Sequence, residues 1–124
     1  MDLLQSFKKY LDLRQIPYSV ENDTIQFDRN GWKLMLFYDS DAPAYFRLAL
    51  PRIETVDDNF SIEEYKRALN IAADYKVAKA VIIGESLWFV FENFLPDYYF
   101  ANSKLFDRAI RILVGVGNEW RSGQ

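Results

Sequence analysis

The chain has 124 residues, the length of one ordinary domain, and half of them are hydrophobic. Aromatic residues make up 17% of the sequence, so the chain can bury enough apolar surface to offset the entropy lost on folding. Because cysteine and histidine are both absent, we exclude disulfides, cysteine nucleophiles, Ser-His-Asp catalysis and the usual zinc sites. The formal net charge of −3 argues against nonspecific binding to nucleic acid.

The first half of the chain is predicted to form a helix followed by strands. Residues 2–15 have apolar side chains at the spacing of one helical face, and Pro17 ends this helix. Residues 18–56 alternate between apolar and polar side chains, with a possible turn at 21–23 and a tight Asn-Gly turn further on. We expect a three-stranded antiparallel meander here, whose last strand bends at Pro51 or lies partly at an edge.

The middle of the chain is predicted to form a second helix over residues 62–75. Ser61 and Glu64 have the spacing of a capping box, which satisfies backbone amides at a helix start. The helical period assigns to its core face the apolar side chains of Ile62, Tyr65, Leu69, Ala72 and Ala73, together with the stem of Lys76.

The last third of the chain is predicted to form a hairpin and a third helix. Residues 78–83 and 87–94 are rich in β-branched and aromatic side chains, and a turn at 84–86 joins them. Asp97 can cap the final helix, with Asn102 or Ser103 as later alternative starts.

We expect the third helix to fray or stop at Gly115 and Gly117, because glycine weakens helices. Trp120 can still dock back onto the domain, and a loose tail is expected from about residue 121. Together these elements predict one α+β domain over residues 1–124, in the order α-βββ-α-ββ-α. The helices lie chiefly on one face of a five-stranded antiparallel sheet.

Alternation along the strands separates two faces of the sheet. The face under the helices is predicted to carry Leu34, Leu36, Phe46, Leu48 and Leu50. The opposite face then carries Met35, Phe37, Tyr45, Trp88 and Val90, and we expect Glu92 on it as well. Five apolar side chains together form a patch that marks a candidate interaction face, unless a loop or the segment around Trp120 covers it.

Short motifs and acidic pairs along the chain do not predict catalytic or metal chemistry. Residues 39–41 (DSD) lack the later ligands of a calcium loop and are predicted to form a turn. Residues 84–86 (GES) lack the second glycine of a nucleophile elbow. Acidic pairs at 57–58 and 63–64 suit a helix start. No catalytic, metal-binding or cofactor-binding residue is therefore predicted.

The sequence also predicts no membrane association. No stretch reaches the roughly eighteen apolar residues that a membrane span needs. The first residues lack the basic start, apolar core and cleavage site of a signal peptide. We therefore expect a cytoplasmic protein with no membrane or nucleic-acid partner.

Residues 61–94 combine three features: ALNIA in a helix at 68–72, a KVAKA link at 76–80 and LWFVF in a hairpin strand at 87–91. With the order of elements, they resemble the type III secretion chaperone-like fold and, within it, the YbjN-like family of small bacterial proteins. The resemblance implies a binding role, since secretion chaperones are small, acidic, usually dimeric proteins that wrap an extended segment. YbjN-like proteins are described as sensory-transduction regulators, and neither group implies active-site residues.

Two functional hypotheses follow from the sequence. The first is a non-enzymatic protein-interaction or chaperone/regulator-like module, which binds a protein segment or a second copy of itself through the open sheet face or an edge. The alternative is a small-molecule-binding domain, or a hydrolase that uses carboxylates alone and needs two acids facing each other across a pocket.

Overall fold

The structure is a computed structural model that describes residues 2–75, 78–95 and 101–123. Its elements in chain order are α1 (Leu3–Leu13), β1 (Tyr18–Glu21), β2 (Thr24–Arg29), β3 (Trp32–Phe37), β4 (Tyr45–Thr55), α2 (Ile62–Asp74), β5 (Ala78–Ile83), β6 (Ser86–Phe94) and α3 (Ala101–Ser122). The strands form one antiparallel sheet in the spatial order β1-β2-β3-β4-β6-β5. The α+β architecture predicted from the sequence is confirmed.

The sheet has six strands, whereas the sequence analysis predicted five. The difference lies in residues 18–29, which form β1 and β2 rather than one strand of a three-stranded meander. Asn22 adopts a φ of 55°, a conformation that asparagine tolerates well, and this allows a tight turn between the two strands. β1 and β2 then pair from Tyr18 opposite Phe27 to Glu21 opposite Thr24, so four strands precede α2.

β4 lies in the middle of the sheet, between β3 and β6, and contains Pro51. The register between β4 and β6 shifts between Leu50 and Glu54, and Arg52 has a φ of 47°. This irregularity accommodates the proline, which has no amide hydrogen to donate to a neighbouring strand. The predicted bend at Pro51 is confirmed, and the strand is central rather than at an edge.

All three helices pack on one face of the sheet and contribute to one apolar core. The predicted core residues of β3 and β4 are all fully buried in it: Leu34, Leu36, Phe46, Leu48 and Leu50. Phe106 of α3 is the meeting point, with ring centroids 4.8 Å from Phe7 of α1 and 5.3 Å from Phe46 of β4. This aromatic contact holds α1 and α3 together against the sheet, with roughly 0.5–1.5 kcal/mol per ring pair beyond the burial of area.

α2 begins as predicted, because Ser61 and Glu64 form a capping box. However, the side that it presents to the core differs from the predicted one. Ala72 is buried as predicted, together with Ala68 and Ile71, whereas Ile62, Tyr65, Leu69 and Ala73 are exposed. Lys76 lies outside the described residues. α2 packs against β5, whose inward positions also carry alanine, and small side chains on both elements let them approach closely.

α3 continues through Gly115 and Gly117 to Ser122, contrary to the expectation that it would fray or stop at these glycines. A Cβ atom at residue 117 would lie 2.6 Å from a ring carbon of Trp32. Trp32 is held there, because its Nε1 donates to Asn118 Oδ1 at 2.9 Å and the Arg121 guanidinium lies 3.9 Å from its ring centroid. Close packing therefore outweighs the low helix propensity of glycine.

The C-terminal end of α3 is tied to α2. Trp120 is buried as predicted, with the Arg67 guanidinium 3.8 Å from its ring centroid. Arg67 Nη1 also donates to the backbone oxygen of Trp120 at 3.0 Å. Residues 121 and 122 are helical, so the loose tail predicted from about residue 121 does not begin there. Asp97, the predicted cap of this helix, lies outside the described residues.

We predict that Gly117→Ala destabilises the protein, because the new Cβ would overlap the fixed Trp32 ring and lie 3.0 Å from Leu50. Overpacking costs about 1–3 kcal/mol, and the gain in helix propensity is about 1 kcal/mol, so we expect a net loss of about 1 kcal/mol. Urea denaturation measures this change.

The matched control for Gly117→Ala is Gly115→Ala in the same helix. There the new Cβ would lie 3.0 Å from the half-buried Tyr75 ring, which can move slightly, so stability should change little. A Gly117→Ala variant at least as stable as the wild type would contradict the explanation for this glycine.

Candidate functional site

The open face of the sheet is the side that carries no helix. The strand register places Met35, Ala49 and Val90 next to one another in a single row across β3, β4 and β6. By the same register the five predicted residues lie on this face: Met35, Phe37, Tyr45, Trp88 and Val90. Their function as an interaction face stays a prediction.

The centre of the open face is a small apolar cluster, separate from the core under the helices. Its buried members are Met35, Ala49, Trp88 and Val90, with Phe37 and Val81 packed against them at partial exposure. Trp88 is 7% exposed, and its ring centroid lies 6.2 Å from that of Phe37. Most of this predicted patch is therefore packed within the chain itself.

Two arginine side chains cover part of this cluster. The Arg47 guanidinium lies 5.3 Å from the Phe37 ring centroid, and that of Arg52 lies 5.5 Å from the Trp88 ring centroid. Their apolar stems shield part of the surface of the cluster from water. Arg47 Nε and Trp88 Nε1 are nevertheless buried without a hydrogen-bond partner in the described part of the chain. A buried polar atom without a hydrogen-bond partner lowers stability, so the hydrogen-bonding capacity of the open face is not fully used.

An ion pair borders the same cluster. Lys79 Nζ of β5 lies 3.0 Å from Glu92 Oε1 of β6, which places Glu92 on the open face as expected. The sequence left open whether the segment around Trp120 covers this face. It does not, because Trp120 lies in the core on the opposite side of the sheet. Within the described ranges, the cover consists of side chains from the strands themselves.

Only part of the predicted interaction face is accessible. Phe37 and Tyr45 are partly exposed, and the Tyr45 ring centroid lies 5.9 Å from that of the exposed Phe94. One end of the open face therefore presents aromatic surface, whereas Met35, Trp88 and Val90 are buried.

A second apolar surface, which we call the α2 stripe, consists of Ile62, Tyr65 and Leu69. These side chains are 69%, 40% and 61% exposed, and their spacing places them along one side of the helix. Tyr65 is anchored by an edge contact with Phe60, with ring centroids 4.7 Å apart. Sequence reasoning missed this surface because it assigned the same residues to the core. The sequence feature that could have shown it is a second apolar side of α2, at residues 68, 71 and 72. The small residues on that side permit closer packing of the helix against the sheet.

The edge strand β5 lies beside α2 and ends the sheet. None of the described strands pairs with its outer side. Its sequence, AKAVII, is apolar apart from Lys79, and Ile82 and Ile83 are exposed. The opposite edge, β1, has only four residues, which are mostly exposed. β5 is therefore the edge better suited to add a further strand.

The acidic residues weighed in the sequence analysis have local structural roles. The backbone amide of Asp41 donates to Asp39 Oδ1 at 2.9 Å, and that of Asn59 donates to Asp57 Oδ1 at the same distance. Glu64 Oε1 accepts from the backbone amide of Ser61. Among residues 2–75, 78–95 and 101–123, no group of three or more acids is placed to hold a metal ion. No helix within those ranges combines the length and apolar character needed to cross a membrane.

We predict that Trp88→Ala destabilises the fold, because Trp88 is packed within the open-face cluster. Truncating a buried tryptophan costs about 3–5 kcal/mol, and we expect the lower end because the cover consists of mobile side chains. Chemical denaturation of Tyr45→Ala, a truncation at the accessible end of the same face, provides the control, with an expected loss below about 1 kcal/mol. Equal stability of Trp88→Ala and the wild type would show that this cluster is not a packed unit.

The chain is similar to a known protein in its fold rather than in its sequence. Protein-family models and curated proteins yield no match to the sequence. Among solved structures, the chain is similar to the crystal structure of YbjN, a putative transcription regulator from E. coli, with a TM-score of 0.72 and 11% sequence identity. The match covers 98% of this chain and 93% of that chain. At this identity the likeness concerns the fold alone, and the chain has a YbjN-like fold.

Proposed function

We propose that this chain is a non-enzymatic, regulator-like protein-interaction module. The observation that carries the proposal is the exposed α2 stripe beside the unpaired edge of β5. Single exposed apolar residues are common on protein surfaces, but a contiguous group marks an interface. The YbjN-like fold supports a regulator-like role, since that structure is described as a putative transcription regulator.

The partner that this surface fits best is a second copy of the chain. An exposed antiparallel edge can pair with the same edge of another copy about a two-fold axis, which keeps the apolar stripes of two α2 helices close together. Charges of both signs flank the stripe, since Glu63 and Lys66 form an ion pair at 3.9 Å. Across a two-fold axis, the acidic residue of one copy can face the basic residue of the other copy, so residues of like charge need not be placed opposite each other.

An extended protein segment is the other partner class compatible with these features. It could add as a strand to β5 through main-chain hydrogen bonds, with alternate side chains against the α2 stripe. The accessible end of the open face, at Phe37 and Tyr45, is a second proposed contact area for such a segment. Its support is the partial exposure of both rings beside the exposed Phe94, whose ring centroid lies 5.9 Å from that of Tyr45.

We predict that Leu69→Glu abolishes self-association without unfolding the domain. The substitution places a charge at the C-terminal end of the α2 stripe, where Leu69 is 61% exposed and contributes little to the core. Desolvating that charge should weaken the dimer by about 2 kcal/mol or more, roughly a 30-fold rise in Kd. Analytical ultracentrifugation measures the mass in solution.

Asn70→Glu is the matched control, because it adds the same charge to an exposed position of α2 outside the stripe. It should associate like the wild type. A wild-type protein that is strictly monomeric, and carries no bound polypeptide after mild purification, would refute the proposed function. If Leu69→Glu associates like the wild type, the interface does not include the α2 stripe.

A further inference from the structure

A cleft between the end of α1, the turn joining β2 to β3 and the middle of α3 takes no part in the surfaces described above. Its volume is about 220 Å³. The lining residues are Tyr10 and Arg14 from α1, Arg29 and Asn30 from the turn, and Asp107, Ile110, Arg111 and Val114 from α3. We call it the arginine cleft.

Positive charge exceeds negative charge in the arginine cleft, although the whole chain has a net charge of −3. Asp107 is the single acid among the described residues that line it, and both carboxylate oxygens are engaged. Oδ1 accepts from the Tyr10 hydroxyl, and Oδ2 lies 3.3 Å from Arg14 Nη2. Arg29 and Arg111 form no ion pair with any described residue. Two guanidinium groups therefore line the cleft without an acidic partner.

Tyr10 and Arg14 line the side of the cleft formed by the end of α1. Tyr10 is buried, and its ring lies 5.4 Å from that of Phe106 by centroid distance. The Arg14 guanidinium lies 3.9 Å from the Tyr10 ring centroid. Burial and the hydrogen bond to Asp107 raise the pKa of Tyr10, so its hydroxyl keeps the proton that it donates to Asp107. The positive charges of Arg14 and Arg29 oppose this shift in the Tyr10 pKa.

A second cavity, of about 240 Å³, adjoins the arginine cleft, since Tyr10 and Arg14 line both. Its lining is mainly apolar and includes Leu13 and Phe106. Asn102 also lines it, and this side chain is 9% exposed with no hydrogen-bond partner for Oδ1 among the described residues. A buried amide oxygen without a partner is unusual and fits a site that accepts a polar ligand group.

We propose that these two adjacent cavities bind a small amphipathic anion, whose carboxylate or phosphate head lies between Arg29 and Arg111 while its short apolar chain contacts Leu13 and Phe106. Guanidinium groups recognise such heads through paired, charge-assisted hydrogen bonds. Each cavity alone is smaller than a typical ligand pocket of roughly 300–1,000 Å³, so a ligand that spans both gains the larger contact. None of these residues belongs to the α2 stripe or to β5, so this site is independent of the proposed protein interface.

The test uses octanoate, octyl phosphate and inorganic phosphate as probes, with affinity from calorimetry and location from amide chemical shifts. We expect at least one octyl compound to bind with a Kd below about 1 mM and to shift residues around Tyr10 and Arg111. The octyl compound that binds more tightly shows whether the site prefers a carboxylate or a phosphate head group. Inorganic phosphate should bind more weakly, because it has no apolar chain to fill the second cavity.

Substitutions separate the two halves of the site. Arg29→Ala and Arg111→Ala should each weaken the octyl compounds about tenfold, and the loss should shrink at high salt. Leu13→Ser should weaken the octyl compounds but leave inorganic phosphate unchanged. Arg108→Ala removes an exposed arginine of α3 outside the cleft and should change neither affinity.

The proposal fails if neither octyl compound binds, or if the shifts lie on the α2 stripe instead of around Tyr10. It fails equally if the Arg29→Ala, Arg111→Ala double variant, folded by circular dichroism, binds like the wild type. Because sedimentation measures self-association separately, failure of this site leaves the proposed interface unaffected, and the reverse also holds.

Discussion

The structure depends on one constraint: a six-stranded antiparallel sheet has two faces, and all three helices cover the same one. The covered face supports a large core that joins α1, α2 and α3 to the strands. The other face must shield its apolar side chains without a helix. It does so with a small cluster around Trp88 and Val90, under the stems of Arg47 and Arg52. The buried aromatic side chains of the described residues are thereby divided between two packed clusters of unequal size.

The way α2 meets β5 determines which apolar surface remains available for a partner. The side that α2 turns to the core carries the small side chains of Ala68 and Ala72, which are buried together with Ile71. The larger side chains of the α2 stripe are left on the solvent side. Burying Leu69 instead would rotate the helix and replace close alanine contacts with wider spacing. The packing that favours stability therefore also creates the proposed interface.

α3 links the remaining parts of the molecule. Its apolar side meets α1 and β4 at Phe106, and its glycines let the Trp32 and Tyr75 rings contact the helix closely. On its other side Asp107 binds both Tyr10 and Arg14, and this arrangement occupies the only acid that lines the arginine cleft. The excess positive charge there follows from how α1 and α3 are fastened together. Structural and binding roles are thus combined in the same few side chains.

The sequence by itself determined the features that depend on local physics. Helical and strand periodicity, the capping box at Ser61, the turn at Gly84 and the bend at Pro51 were all predictable, because each depends on neighbouring residues. The α+β class, the one-sided helix layer and the two faces of the sheet followed from them. The sixth strand also depends on a local feature, the turn at Asn22. The sequence indicated a possible turn there, but the alternation of residues 18–29 did not decide between one strand and two.

Only the tertiary structure decided the features that depend on contacts distant in sequence. Periodicity offered α2 two adjacent apolar sides, and packing against β5 selected the one with alanine. Helix propensity argued for a break at Gly117, and the contact with Trp32, 85 residues earlier, decided against it. The arginine cleft joins residues 14, 29 and 111, which no spacing along the chain relates. Local preferences amount to about 1 kcal/mol or less per residue, and the effects of close packing exceed that amount.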